Sequence, residues 1–113
     1  MVEHTILKVI QNYLDTVRHA GIYVSRAILF GSHARGEAHP DSDIDILVIA
    51  PEFDEPYNKD LVDFLWELRA RSDSRIEPIP VGERQWQDGL PDASAVIEIA
   101  RREGEEIALP IAA

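Results

Sequence analysis

Two apolar runs joined by a short polar segment constrain this chain more than any other feature. The run at 27–30 is followed at once by Gly31 and Ser32, and the run at 46–50 is preceded by Asp43 and Asp45. Because side chains alternate between the two faces of a strand, the two aspartates share a face, with Cα atoms about 6.6 Å apart. The second run is nearly continuous, which is typical of a strand covered on both faces.

Apolar periodicity predicts the other elements. We expect helices over 5–20, 58–71 and about 93–103, with Thr5, Asn58 and Asp92 as their N-caps. A turn or two of helix is expected after Gly31, and another turn around Trp86. Strands are expected over 22–30, 43–50 and 75–81, and the last of them should lie at a sheet edge because Pro78 and Pro80 cannot donate ladder hydrogen bonds. The apolar tail from Ile107 is expected to be a short strand, a docked end or a partner contact.

Chain direction predicts that several polar residues meet at one edge of the sheet. If the first two strands are antiparallel neighbours, Ser32 lies at the same end as Asp43 and Asp45. The link from the second strand to the third contains a helix, as a crossover between parallel strands requires. The third strand then begins at that same end, and Glu77 lies near its start.

Three neighbouring carboxylates repel one another, and divalent cations relieve that repulsion. Carboxylate and phosphate oxygens suit Mg²⁺, and two ions about 3.5–4 Å apart stabilise the attacking and leaving oxygens of an in-line displacement. We therefore predict Asp43 and Asp45 as metal ligands and catalytic residues. Glu77 is predicted to bind the second metal and to orient or deprotonate an attacking hydroxyl. Backbone N–H groups at Gly31 and Ser32 are predicted to hold a triphosphate.

The remaining polar residues of this region leave alternatives open. Arg35 either reaches phosphate or ties the loop to an acid. Ser42 belongs to the predicted nucleotide-binding set, although a role in stabilising the loop is the simpler interpretation. Asp73 is an alternative third acid, disfavoured by its position at a helix end. His33 and His39 flank the loop, but a metal site there lacks a third ligand at suitable spacing.

Composition limits the class of partner. The 113 residues suit a single domain, 1–113, with one core. A net charge of −10 and no basic run disfavour direct binding to nucleic acid. The chain has no cysteine, which fits a reducing cytoplasm, and its beginning resembles neither a signal peptide nor a membrane span. The acids between 52 and 63 form either a solvated face or a contact for a partner's basic surface.

The pattern Gly31-Ser32, Arg35-Gly36 and Asp43-Ile44-Asp45 resembles the signature of the DNA polymerase beta-like nucleotidyltransferases. Within that superfamily the chain is most similar to the minimal nucleotidyltransferases (MNT), in length, element order and the late acid Glu77. The resemblance implies an α/β fold of the α+β type, with a small mixed sheet of three or more strands flanked by helices. It also implies Mg²⁺, with two ions, and a nucleoside triphosphate, usually ATP.

Many MNT proteins are antitoxins paired with a helical HEPN ribonuclease toxin, and some transfer AMP to a tyrosine of that partner. The resemblance therefore implies a cytoplasmic adenylyltransferase with a HEPN-like partner, in a homo- or hetero-oligomer. The alternatives are a non-catalytic antitoxin that acts by occlusion and nucleotidyl transfer to a small molecule. One departure concerns Glu77, because the third acid of active relatives is more often Asp. The separate substrate-binding domain of larger relatives is also expected to be missing, so that a partner chain or the acceptor itself supplies recognition.

Overall fold

The structure is a computed structural model that describes residues 2–54, 56–88 and 95–109. Its helices and strands follow the predicted order, with one further strand near the end of the described chain. In chain order the elements are α1 (His4–His19), β1 (Arg26–Phe30), α2 (Ser32–Arg35), β2 (Ile44–Ala50), α3 (Lys59–Glu67), β3 (Ile76–Gly82), α4 (Glu83–Asp88), α5 (Ala95–Glu103) and β4 (Glu105–Glu106). Short 3₁₀ turns follow β2 at Pro51–Phe53 and α3 at Leu68–Arg71.

The four strands form one mixed sheet in the order β3-β2-β1-β4. β1 is antiparallel to both β2 and β4, whereas β3 runs parallel to β2 after the crossover through α3. The predicted strand directions and the edge position of β3 are confirmed, as is the α+β class with a mixed sheet flanked by helices. The short strand β4 lies just before the predicted tail, and the backbone N–H of Ile107 continues its pairing by donating to the Ala27 carbonyl. Residues 110–113 of the tail lie outside the described residues.

Local hydrogen bonds decide where the elements begin. Asn58 caps α3 as predicted, because its side-chain oxygen accepts from the backbone N–H of Leu61 at 3.1 Å. The prediction of Thr5 as the cap of α1 is wrong: the Glu3 carboxylate caps the helix by accepting from the Thr5 backbone N–H. β1 begins four residues later than expected. Asp92, the predicted N-cap of the last helix, lies outside the described residues.

Helices cover both faces of the sheet. On one face, α1 and α3 bury an apolar layer around Tyr13, Leu14 and Leu65, which contacts the even-numbered side chains of β2. The opposite face carries Ile28, Leu47 and other residues that pack against α4 and α5. This two-sided cover is the reason that Ile46–Ala50 is almost uniformly apolar. No helix in the described ranges is both long and apolar enough to cross a membrane.

Candidate active site

The strand register places two of the predicted acids side by side. Asp45 on β2 is paired with Glu77 on parallel β3, and on its other side with Phe30 on β1. Cross-strand partners lie on the same face of a sheet, about 4.8 Å apart along the hydrogen-bonding direction. Asp43 immediately precedes β2 and shares that face by alternation. The structure therefore brings Asp43, Asp45 and Glu77 to one edge of the sheet.

Gly31 connects β1 to α2 beside the Asp45 carboxyl group. Its backbone has φ +77° and ψ −156°, a region that is essentially restricted to glycine. A Cβ atom built at this position would overlap with Oδ2 of Asp45. Position 31 therefore requires glycine for two reasons, its backbone conformation and the close approach of the Asp45 carboxylate.

Burial and the proximity of other carboxyl groups raise the pKa values of Asp45 and Glu77. Burial, with the negative charge of Asp43 as a second cause, raises the pKa of Asp45, while His33 and Arg35 lower it in part. The pKa of Glu77 is also raised, first by burial, then by a hydrogen bond to Asp43 and the negative charges of Asp43 and Asp45. A hydrogen bond between two carboxyl groups requires a proton on one of them. The three acids thus form one electrostatic cluster that favours protonation or a cation.

Helix α2 and the loop that follows hold the two halves of the motif together. The His33 ring lies 3.3 Å from the Ser42 carbonyl oxygen, and the Ser42 hydroxyl accepts from the backbone N–H of His39 at 2.9 Å. Just before β3, the Arg75 guanidinium donates to the Pro40 carbonyl at 2.9 Å. In these contacts Ser42 closes the loop, as the simpler interpretation expected, and the His33 ring joins α2 to that loop.

Arg35 is held by two acids. Its Nε lies 2.5 Å from Glu37, and its Nη1 lies 3.7 Å from Glu103 at the end of α5. Of the two interpretations of Arg35, this arrangement matches the one in which it ties the loop to an acid. The ion pair with Glu103 also fixes the end of α5 next to α2, so it contributes to the shape of the site edge.

The alternative third acid is engaged elsewhere. Asp73 accepts two side-chain hydrogen bonds from Arg75, at 3.0 and 2.8 Å, and one from its backbone N–H. These bonds hold the pKa of Asp73 below its usual value. The carboxylate is therefore a partner of Arg75, and Glu77 is the acid that the register places next to Asp45.

Sequence reasoning missed Arg69 and the apolar border of the site. Arg69 lowers the pKa of Glu77 in part and donates to the Ile76 carbonyl at 3.1 Å. No local pattern indicates this, because the contact arises where the turn after α3 packs against β3. Phe30 and Ile79 share the face of Asp45 and Glu77 and are partly buried. Alternation along the predicted strands could have located both.

The donor set of the cluster suits a hard cation, since all three groups are carboxyls and their mutual repulsion has no full compensation nearby. Across residues 2–54, 56–88 and 95–109, no three His, Cys, Asp or Glu side chains are already arranged to hold one ion. The chemistry of the three carboxyl groups fits the predicted metal.

Comparison with known proteins identifies related sequences and folds. A family model described as a nucleotidyltransferase domain matches residues 10–80, well over half of the chain. No curated protein matches this chain significantly.

Two solved structures share the fold. A chain of a toxin-antitoxin complex with AMP-PNP is 22% identical, with a TM-score of 0.60, over 88% of this chain and 73% of the other. A chain of the complex between the tri-AMPylated HEPN toxin and the MNT antitoxin of Shewanella oneidensis is 20% identical, with a TM-score of 0.55, over 92% of this chain and 73% of the other.

Proposed function

This chain belongs to the nucleotidyltransferase domain family, and on that premise we propose that it transfers AMP from ATP to a hydroxyl group of a HEPN-like protein partner, as the antitoxin of a toxin-antitoxin pair. The observation that carries the proposal is the placement of Asp43, Asp45 and Glu77 at the strand edge beside Gly31. The partner is inferred from the two toxin-antitoxin structures that share this fold, one holding AMP-PNP and one holding a tri-AMPylated toxin.

The reaction is a displacement at the α-phosphorus of ATP. The acceptor oxygen forms a bond to that phosphorus, the bond to the bridging oxygen breaks, and pyrophosphate leaves with the electron pair. The proton of the acceptor hydroxyl passes to a carboxylate. We assign this role to Glu77, the acid that the strand register pairs with Asp45. The backbone N–H groups at the start of α2 would bind phosphate oxygens.

Asp43, Asp45 and Glu77 are the residues that would hold Mg²⁺. When bound, the metal would neutralise charge on the phosphates and stabilise the attacking and leaving oxygens. Asp43 and Asp45 would orient the triphosphate through it, and Gly31 would keep the space beside Asp45 open. The third acid is Glu77, whose side chain is longer than that of an aspartate and reaches further. Glu77 is directly paired with Asp45 in the sheet.

The test incubates the protein with ATP labelled in the α-phosphate, Mg²⁺ and the candidate HEPN-like partner. Label should appear on the partner, and Asp43→Asn and Asp45→Asn should reduce it at least a hundredfold. Glu77→Gln should also reduce transfer strongly, whereas Asp73→Asn should leave most of it, which distinguishes the two possible third acids. Unchanged labelling in the Asp43 and Asp45 variants would refute the catalytic assignment.

Metal binding is tested separately from transfer. Mg²⁺ with a non-hydrolysable ATP analogue should raise the Tm of the wild-type chain, because a ligand that binds only the native state stabilises it. The same addition should leave the Tm of Asp43→Asn nearly unchanged. Exposed Glu98→Gln, far along the chain on α5, is the matched control and should respond as the wild type does.

Occlusion of the partner without transfer is the second candidate function. It is favoured by one observation, that position 77 carries Glu where the third acid of active relatives is more often Asp. Full neutralisation of the partner by Asp43→Asn, together with loss of labelling, would support occlusion. Labelling of a small hydroxyl compound in place of the protein would support the third alternative.

A further inference from the structure

A cleft of about 340 Å³ lies at the far end of the sheet from the carboxylates. It opens between the 3₁₀ turn after β2, the first turns of α3 and the edge strand β3. Its apolar walls come from Phe53, Leu61, Val62 and Pro80, and Tyr57, which is 78% exposed, lies at its rim. A largely exposed aromatic side chain beside a partly buried apolar surface is typical of a contact for another molecule.

A carboxylate oxygen in the wall of this cleft lacks a donor. Glu52 lines the cleft, and its Oε2 accepts from the backbone N–H of Tyr23 at 2.9 Å. Its Oε1 is buried and has no hydrogen-bond partner among the described residues. A buried acceptor without a donor costs free energy, and more so when it is charged. The Glu52 carboxylate in the wall of the cleft is therefore only partly compensated, which favours a cationic group beside it.

The neighbouring strand edge also provides acceptors. The Arg75 carbonyl accepts from the Ile44 backbone N–H, so it points toward β2, and alternation directs the even-numbered positions of β3 outward. The bond from Arg69 to the Ile76 carbonyl agrees with this direction. Positions 78 and 80 are prolines and present carbonyl groups without N–H groups. A strand cannot pair regularly with such an edge, so a ligand must bring its donors on side chains.

The charge around the cleft selects the same class of ligand. Glu52 and Asp54 precede it, and exposed Asp60 and Asp63 follow on α3, while Lys59 is already paired with Asp63 at 2.6 Å. The whole chain carries a net charge of −10. Long-range attraction therefore favours a cationic ligand, and charge complementarity of this kind increases the rate of association.

We propose that this cleft docks a basic amphipathic segment of the protein partner, with an apolar side chain against Leu61 and Val62 and an Arg or Lys beside the Glu52 carboxylate. In taking the occupant to belong to the partner on which the chain acts, the proposal rests on the proposed function. The cleft and Asp45 lie at opposite ends of β2, separated by about 15–20 Å. A docked segment therefore leaves the carboxylate edge accessible to ATP and to the acceptor.

The test uses two synthetic peptides of the same helical pattern, one of Leu and Arg and one of Leu and Glu, added to ¹⁵N-labelled full chain. The Leu-Arg peptide should shift the amide resonances of Leu61, Val62 and Gln85, and the Leu-Glu peptide should not. Glu52→Gln keeps the acceptor for Tyr23 but removes the charge, and it should weaken binding about tenfold. The matched control, exposed Glu98→Gln on α5, makes the same change in net charge and should alter binding less than twofold.

Equal weakening in the two glutamine variants would overturn the proposal, because it would indicate general attraction to an acidic chain. Shifts confined to other surfaces, or equal binding of the Leu-Glu peptide, would also overturn it. Val62→Ser should weaken binding with little change in the rest of the spectrum, which tests the apolar part independently. Asp43→Asn should bind the peptide as the wild type does, so a failure of the catalytic proposal is distinguishable from a failure of this one.

Discussion

Replacement of Gly31 by alanine should be among the most destabilising single changes at the candidate site. The backbone there, with φ +77° and ψ −156°, is almost inaccessible to a residue with a Cβ atom. Residues held in such regions cost about 1–3 kcal/mol. The new Cβ would also displace the Asp45 carboxyl group, whose Oδ2 occupies that space. We expect Gly31→Ala to lower the free energy of unfolding by about 3 kcal/mol or more, a large part of the 5–15 kcal/mol typical of a domain.

Gly36 provides the matched control. Its φ is +74° and its ψ is 21°, in the left-handed helical region, and a Cβ atom there would meet nothing within 4 Å. An alanine in that region costs about 1–2 kcal/mol, partly offset by the reduced entropy of the unfolded chain. Gly36→Ala should therefore lower the free energy of unfolding by about 1 kcal/mol.

Urea unfolding followed by the fluorescence of Trp66 and Trp86 measures both values. A double-mutant cycle separates the two causes at position 31, because Asp45→Ala removes the Oδ2 and Cγ atoms that the new Cβ would meet and leaves the backbone cost unchanged. Gly31→Ala should cost about 1 kcal/mol less in the Asp45→Ala background than in the wild type. Equal costs for Gly31→Ala and Gly36→Ala, or additive effects in the cycle, would refute the reasoning.

Three further predictions concern the core, a helix cap and pH. Tyr13→Phe removes the buried hydroxyl that donates to the Leu65 carbonyl at 2.6 Å, so it should lower the free energy of unfolding by about 1–2 kcal/mol; no change in urea unfolding would contradict this. Asn58→Ala should cost about 1 kcal/mol by removing the cap of α3, and Asn58→Asp, which keeps the acceptor, should restore it. Because the pKa of Glu77 is raised in the native state, its contribution to stability is greatest below its unfolded pKa and is lost as pH rises through the native value. Asp43→Asn, which removes one cause of that shift, should therefore be more stable than the wild type at pH 7, and the difference should shrink toward pH 4; a difference independent of pH would contradict the assignment.

Much of the fold follows from local patterns. The helical stripe of α1, the apolar strands and the two prolines of β3 each depend on residues close in sequence, and periodicity is a direct consequence of helix and strand geometry. Strand directions also followed, because a helix between two strands favours a parallel crossover. The exceptions were local competitions, such as Glu3 capping α1 in place of Thr5, where the Glu3 carboxylate accepts from the backbone N–H of Thr5 itself.

For the candidate site too, some features follow from the sequence and others depend on the tertiary structure. Spacing and chain direction were enough to place Gly31, Asp43, Asp45 and Glu77 at one edge, since they depend on alternation and topology. Only the tertiary structure placed Glu77 beside Asp45 and Asp73 against Arg75, because these contacts depend on strand register and on which acid Arg75 engages.

The partners of the charged side chains were likewise decided by packing. The contact of Arg69 with the end of β3, the tie of Arg35 to Glu103 and the unpartnered oxygen of Glu52 all join residues from different elements. Periodicity carries no information about such contacts, because they depend on how completed helices and strands pack against one another. The sequence alone therefore located the acids, and the packing of the elements determined their neighbours.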